Sequence, residues 1–127
     1  MTKRRIAIEI VLWSASLFLA LVCLRSGLQK VTGNVFWARD FQRWGYPGWF
    51  RVMVGAAELA SFALLLIPRL AAYGAALFAA VMLGAIYTHA AHSEMSRLPF
   101  NFLLLALALL VFFARGRDFL KRLKVNR

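Results

Sequence analysis

At 127 residues, 62% of them hydrophobic, and with a mean hydropathy of +0.69, the chain has room for one domain and more apolar side chain than a water-soluble core of that length hides, so the bilayer is its expected solvent. The formal charge of +11 does not indicate a nucleic-acid partner: the basic residues stand at the ends of apolar segments and between them, without a recognition motif, and anionic lipid headgroups account for them. Cys23 is the only cysteine, which excludes an internal disulfide and a CxxC redox pair; its expected role is apolar filler.

Lys3, Arg4 and Arg5 precede an apolar run over residues 6–24, interrupted only by Glu9. At about 1.5 Å per residue it is long enough to cross a hydrocarbon core of about 30 Å. It is too long for the apolar region of a signal peptide, no A-x-A site follows it, and Leu21-Val22 before Cys23 lacks the small residue of a lipoprotein cleavage site. The segment is therefore expected to stay, as a first span over residues 6–30. Arg25 and Gln29 are four apart and share a face, with Lys30 adjacent, so the span should end in a polar, bundle-facing turn stopped by Gly33. Alone, Arg25 and Lys30 would be expected to snorkel to the headgroups.

Residues 34–50 are too polar to span and too aromatic for an ordinary loop. Trp37, Phe41 and Trp44 recur at helical spacing, while Arg39, Asp40 and Arg43 point elsewhere around the same turns. The segment is expected to lie in the interface plane with its rings toward the acyl chains, a lid over the bundle being its other available role. Asn34 is a candidate N-cap, and Gly45-Tyr46-Pro47-Gly48 a turn. A second span follows over residues 51–67, then the short Pro68-Arg69 break and a third span over 70–89, which must be its antiparallel neighbour. In the third span Ala72, Ala76, Ala80 and Gly84 form an i, i+4 row, read as a packing seam. Thr88, His89, His92, Ser93, Glu94 and Arg97 make a polar stretch, and Pro99 opens a fourth span, 99–114, with Asn101 in its first turn. Residues 115–127 hold six basic side chains against Asp118, with Phe119, Leu120 and Leu123 on one side, so an interfacial cytoplasmic tail is expected.

The organising residue is Glu58, the only ionisable side chain between Val52 and Ile67. A carboxylate at membrane depth costs about 3 kcal/mol, which a partner must offset. Four spans put both termini on one side, together with the Pro68-Arg69 turn. That side has more Lys and Arg than the other, which holds Arg25, Lys30, Arg39, Arg43, Arg51 and Arg97; the termini are therefore expected in the cytoplasm. Arg25, Gln29, Lys30, Glu58, His89 and Asn101 then converge from four spans in the outer half, while the inner halves carry only Glu9. This buried cluster is either a binding or proton-handling site or a Glu58–Arg25 ion pair that fixes helix register. His89 and His92 are three apart, but a metal would need Glu58 as well, which Arg25 also claims, so no metal site is expected. No phosphate loop, GxSxG turn or HExxH is present.

Arg25-x-Gly27-x-x-Lys30, the aromatic segment ending in Gly45-Tyr46-Pro47, Gly55-x-x-Glu58, and Arg69-Leu70-Ala71-Ala72 together resemble the DoxX and DoxX-like membrane protein family. The resemblance implies that Arg25, Lys30 and Glu58 are the recurrent polar positions. Leu59-Ala60-Ser61-Phe62 departs from the family's Gly-rich turn after the Glu, so the packing there is expected to differ. The family is named for a membrane subunit of a thiosulfate:quinone oxidoreductase; other relatives are linked to redox-stress complexes or to chaperoning of membrane proteins. Thiosulfate oxidation would rest on the name alone and is not inferred.

The expectation is thus an all-α, four-transmembrane-helix bundle in the bacterial inner membrane, multi-pass, with an interfacial aromatic segment between helices one and two. Its expected role is that of an accessory or binding protein for quinone or lipid, or of support for a membrane redox partner protein, with homo-oligomers open to it. The alternatives are a membrane enzyme using Glu58 and His89 as acid and base on a lipid-soluble substrate, and a small-solute or proton transporter, against which the apolar inner halves speak.

Overall fold

The computed structural model describes residues 2–125; Met1 and the last two residues of the predicted tail lie outside that range. Five α-helices follow one another: α1 (Lys3–Thr32), α2 (Val35–Trp44), α3 (Gly48–Leu65), α4 (Ala71–Ala91) and α5 (Leu98–Val125), with a 3-10 turn, Met95–Arg97, leading into α5. α1, α3, α4 and α5 are long and apolar enough to cross a membrane, and the fold is the expected all-α four-helix bundle. α1 packs chiefly on α3 and α4 on α5, while α3 against α4 and α1 against α5 close the ring. The start of α1, the end of α5 and the α3–α4 turn lie at one end, called proximal below; α2 and the α4–α5 connection lie at the distal end.

The boundaries follow from local chemistry. The Thr2 side chain accepts from the Arg5 amide at 3.1 Å and caps α1. Gly33, at φ 77°, closes that helix in the left-handed region where a side chain would be strained. Asn34 Oδ1 then accepts from the Phe36 amide at 2.9 Å, so α2 starts almost where α1 stops. Arg51, on α3, donates to the Lys30 carbonyl and occupies one of the orphan acceptors at the end of α1.

Helix contact is closest where glycines meet. A Cβ on Gly27 would lie 2.9 Å from the Gly55 carbonyl oxygen, and one on Gly55 would lie 2.8 Å from Lys30 Cβ and 2.9 Å from the Gly27 oxygen. The α1–α3 crossing is therefore backbone on backbone, the way helices gain dispersion contacts in lipid, where no hydrophobic force pushes them together. Gly74 plays the same part between α4 and α3, with the Leu64 Cβ 2.8 Å from where its own would be.

Two expectations are corrected here. Ala76, Ala80 and Gly84 are exposed, Ala72 is half-buried, and nothing lies within 4 Å of a Cβ at Gly84. The seam is the neighbouring row Ala71, Ala75 and Ala79, all buried. Both rows have the same spacing; Phe78 and Met82 lie on the side of the second, and burying these large side chains turns that face inward. The second correction concerns the tail. α5 runs unbroken past residue 114 to Val125, with Phe119 against Tyr73 (ring centroids 5.8 Å apart) and Arg115 buried against Glu9. No proline interrupts the helix, and these contacts hold it on the bundle axis instead of letting it turn into the interface.

Candidate functional site

Lys30 is one turn beyond Gly27, and Glu58 is one turn beyond Gly55. The glycine crossing thus delivers the two side chains to each other: Lys30 Nζ donates to Glu58 Oε1, with the residues only 6% and 1% exposed. Helical side chains lean toward the N-terminus, so Lys30 bends into the bundle instead of out to the headgroups. It also donates to Ser26 Oγ at 2.8 Å and stands 4.1 Å from the centroid of the Trp37 ring, a cation–π contact. The Trp37 indole N–H donates to Gln29 Oε1 at 2.9 Å and is held over the lysine.

A second polar group ties α2 to the α4–α5 connection. Asp40 accepts from Arg43 and from Arg97, each at 2.9 Å. Glu94 accepts from Arg43 and from the Trp44 indole at 3.0 Å, and its Oε1 is 2.9 Å from His89 Nδ1. The Tyr46 and Thr88 hydroxyls share a hydrogen bond of 2.8 Å. With Asp40 and Phe41 buried, the α2 segment between the first two spans also forms a roof: Trp37, Phe41 and Trp44 border the space beneath it, while Phe36 stays exposed. The inward orientation of α2 adds Arg97 to the partners of Asp40, and Arg43 and Trp44 to those of Glu94.

Under the roof lies a cavity of about 630 Å³, within the size range of small-molecule sites. Phe41, Phe50, Phe78, Met82 and Leu104 supply apolar wall, and Lys30, Glu58, His89 and Asn101 contribute polar groups. Three buried polar atoms of residues on that wall have no hydrogen-bond partner, Glu58 Oε2, Asn101 Nδ2 and Arg97 Nη1, where burial without a partner is costly.

Of the six residues singled out from sequence, Lys30, Glu58, His89 and Asn101 border this one cavity. Gln29 stands behind Trp37 and reaches the cavity only through it. Arg25 is exposed, with no ion pair among the described residues; it lies on the opposite side of α1 from the face that Gly27 presses onto α3, and the partner of Glu58 is Lys30. His89 pairs with Glu94 and not with Glu58. His92 is exposed, its Nδ1 2.8 Å from the Thr88 carbonyl oxygen. Among the described residues no three His, Cys, Asp or Glu side chains converge as metal ligands. Sequence reasoning passed over Ser26, although it is four before Lys30, as well as Asp40, Tyr46 and Glu94. Only the docking of α2 gives the last three their roles.

Burial pushes the Glu94 pKa up, but the hydrogen bonds from His89 and Trp44 and the charges of Arg97 and Arg43 outweigh it, and the pKa lies below the ordinary 4.5. Because the folded value is depressed, ionised Glu94 stabilises the roof above pH 4.5, and that contribution is lost as pH falls through the lowered pKa. Tryptophan emission of the detergent-solubilised protein should show an acid transition below about pH 4.5. In Glu94→Gln that acid transition should be absent; an unchanged transition would mean that another carboxylate controls the roof.

Fold and site together define a small all-α membrane protein with four spanning helices and a roofed cavity in the distal half of the bundle. The chain belongs to the DoxX-like family, whose model matches residues 14–111. No curated protein and no solved structure matches it.

Proposed function

We propose that this protein binds a small amphipathic, membrane-soluble molecule, a quinone or a lipid, in the distal cavity, as an accessory or binding protein that supports a membrane redox complex. In this reading the membrane is the bacterial inner membrane, the termini are cytoplasmic, and the cavity faces the outer leaflet. The observation that carries it is a set of unpartnered buried atoms, Glu58 Oε2 as acceptor and Asn101 Nδ2 and Arg97 Nη1 as donors, on the wall of a mostly apolar space. A ligand with one polar end can meet Glu58 Oε2 and Asn101 Nδ2 and leave its apolar body against Phe78, Met82 and Leu104. Phe36, Tyr87 and Phe100 border the same space and are 54%, 70% and 52% exposed, so a ligand dissolved in the bilayer meets the cavity from the side.

An enzymatic version of the reading rests on His89, whose one ring nitrogen is held by Glu94 while the side chain borders the cavity, the arrangement of an oriented acid or base. Transport is less well supported. Toward the proximal end the bundle is filled chiefly by Leu19, Cys23, Ala108 and Val111, each fully buried, and the hydroxyls of Ser16 and Ser61 are the polar groups buried there, a thin basis for a polar path.

The test is mass spectrometry of small molecules retained by protein purified from its native membranes, with Asn101→Leu and Glu58→Gln beside the wild type. One quinone or lipid species should be retained by the wild type and fall by roughly tenfold in Asn101→Leu, the loss of one buried hydrogen bond, with helicity unchanged. Equal retention in wild type and both folded variants would overturn the assignment. Conversion of the retained species by the wild type would establish the enzymatic version.

A further inference from the structure

A second cavity, of about 410 Å³, lies at the proximal end between α1, α5 and the α3–α4 turn. It is independent of the distal site and of the function proposed for that site. Its two carboxylates are already engaged: Glu9 accepts from Arg115 Nη1 at 3.1 and 3.2 Å and lies 2.9 Å from Arg5, and Asp118 lies 3.4 Å from Arg5 and 3.7 Å from Arg115. Three further cations on the same wall, Arg69, Lys121 and Arg122, have no ion pair among the described residues. Five cations against two carboxylates leave an excess of three positive charges around one concavity. Arg115 adds a second observation. Its side chain is only 7% exposed, it borders the cavity, and its buried Nε has no hydrogen-bond partner. A buried ion pair that merely locks α1 to α5 needs neither the unpaired Nε nor the three additional cations.

We propose that this cavity binds the phosphate of an anionic phosphate ester, and that the source is the headgroup of an anionic phospholipid. Guanidinium groups match phosphate oxygens through paired N–H donors, and a charge excess of this size selects a net anionic ester over a zwitterionic one. The lipid source follows from position. Arg115 comes directly after the apolar stretch of α5, at headgroup level, with the exposed Phe112 and Phe113 just below it. Trp13, whose ring centroid is 5.8 Å from the Arg115 guanidinium carbon, and Phe119 give the wall an apolar side for the glycerol and upper acyl chain.

The experiment is native mass spectrometry of the full chain in detergent micelles, titrated separately with phosphatidylglycerol, phosphatidylcholine and glycerol 3-phosphate. The double variant Arg69→Gln/Arg122→Gln is run in parallel, since both side chains are exposed and unpaired among the described residues and its fold is checked by circular dichroism. The wild type should bind one phosphatidylglycerol more tightly than phosphatidylcholine, and the double variant should lose roughly thirtyfold in that affinity. Glycerol 3-phosphate binding with the same variant sensitivity, and without phosphatidylglycerol selectivity, would keep the phosphate chemistry and overturn the lipid source. Equal binding of the two lipids with no binding of glycerol 3-phosphate, or a folded double variant that holds phosphatidylglycerol as the wild type does, would overturn the site.

Discussion

Glu58→Leu is expected to cost about 3 to 5 kcal/mol of stability, because it leaves Lys30 charged and buried without its counter-ion. Ser26 and the Trp37 ring still contact the ammonium, but neither carries a compensating charge. The double variant Lys30→Met/Glu58→Leu should recover most of the loss, since replacing both members of a buried pair by apolar groups is often nearly neutral. Thermal and denaturant unfolding of the four proteins of this cycle in detergent micelles gives the coupling directly. A single-variant cost below about 1 kcal/mol would mean that water reaches the pair and that the crossing does not seal it. The double variant also separates stability from binding: a stable bundle that retains no ligand would give the Lys30–Glu58 pair a binding role beyond its structural one.

The second large effect concerns glycine. Gly55→Ala should destabilise by about 1 to 3 kcal/mol, the range for overpacked sites, because the new methyl would lie 2.9 Å from the backbone oxygen of Gly27, which cannot swing aside. The α1–α3 crossing must open, and the Lys30–Glu58 contact one turn away stretches with it. Gly84→Ala is the control. Nothing lies within 4 Å of its Cβ, and alanine is the better helix former by up to about 1 kcal/mol, so that variant should be neutral or slightly more stable. Unfolding midpoints of the two variants side by side decide the matter: equal behaviour would mean that the crossing is looser than its geometry shows.

These two experiments also mark what can be read from the residues alone. Glu58 announces itself, because a lone carboxylate in an apolar span is too costly to be incidental. Four spans follow from hydropathy, and four of the six expected polar residues border one cavity because antiparallel topology alone brings those helix ends together. The choice of Lys30 over Arg25 does not follow. Arg25 with Gln29 and Ser26 with Lys30 are equally good i, i+4 pairs, and which one faces inward depends on the place where α1 meets α3. A clue was present in the identical spacing of Gly27-x-x-Lys30 and Gly55-x-x-Glu58, which makes sense only when two glycines touch. The α4 seam is ambiguous for the same reason: two rows of small residues, one position apart, have equal periodicity. Asp40 and Glu94 are harder still. Each is an ordinary loop or surface acid until α2 folds back over the bundle, a contact between segments far apart in the chain.

The side chains that hold α2 down belong to two rigid groups. Asp40, Arg43 and Trp44 move with α2, while His89, Glu94 and Arg97 move with the α4–α5 connection. Arg43 bridges both carboxylates, so no single contact between the two groups can be released without straining the others. Opening the roof is therefore expected to be cooperative, an all-or-none exchange between a sealed and an open cavity. A guest that departs through the roof should then leave with a single exponential whose rate is set by the latch, whatever the guest, whereas one that slips sideways into the lipid should leave at a rate that depends on its own size and polarity.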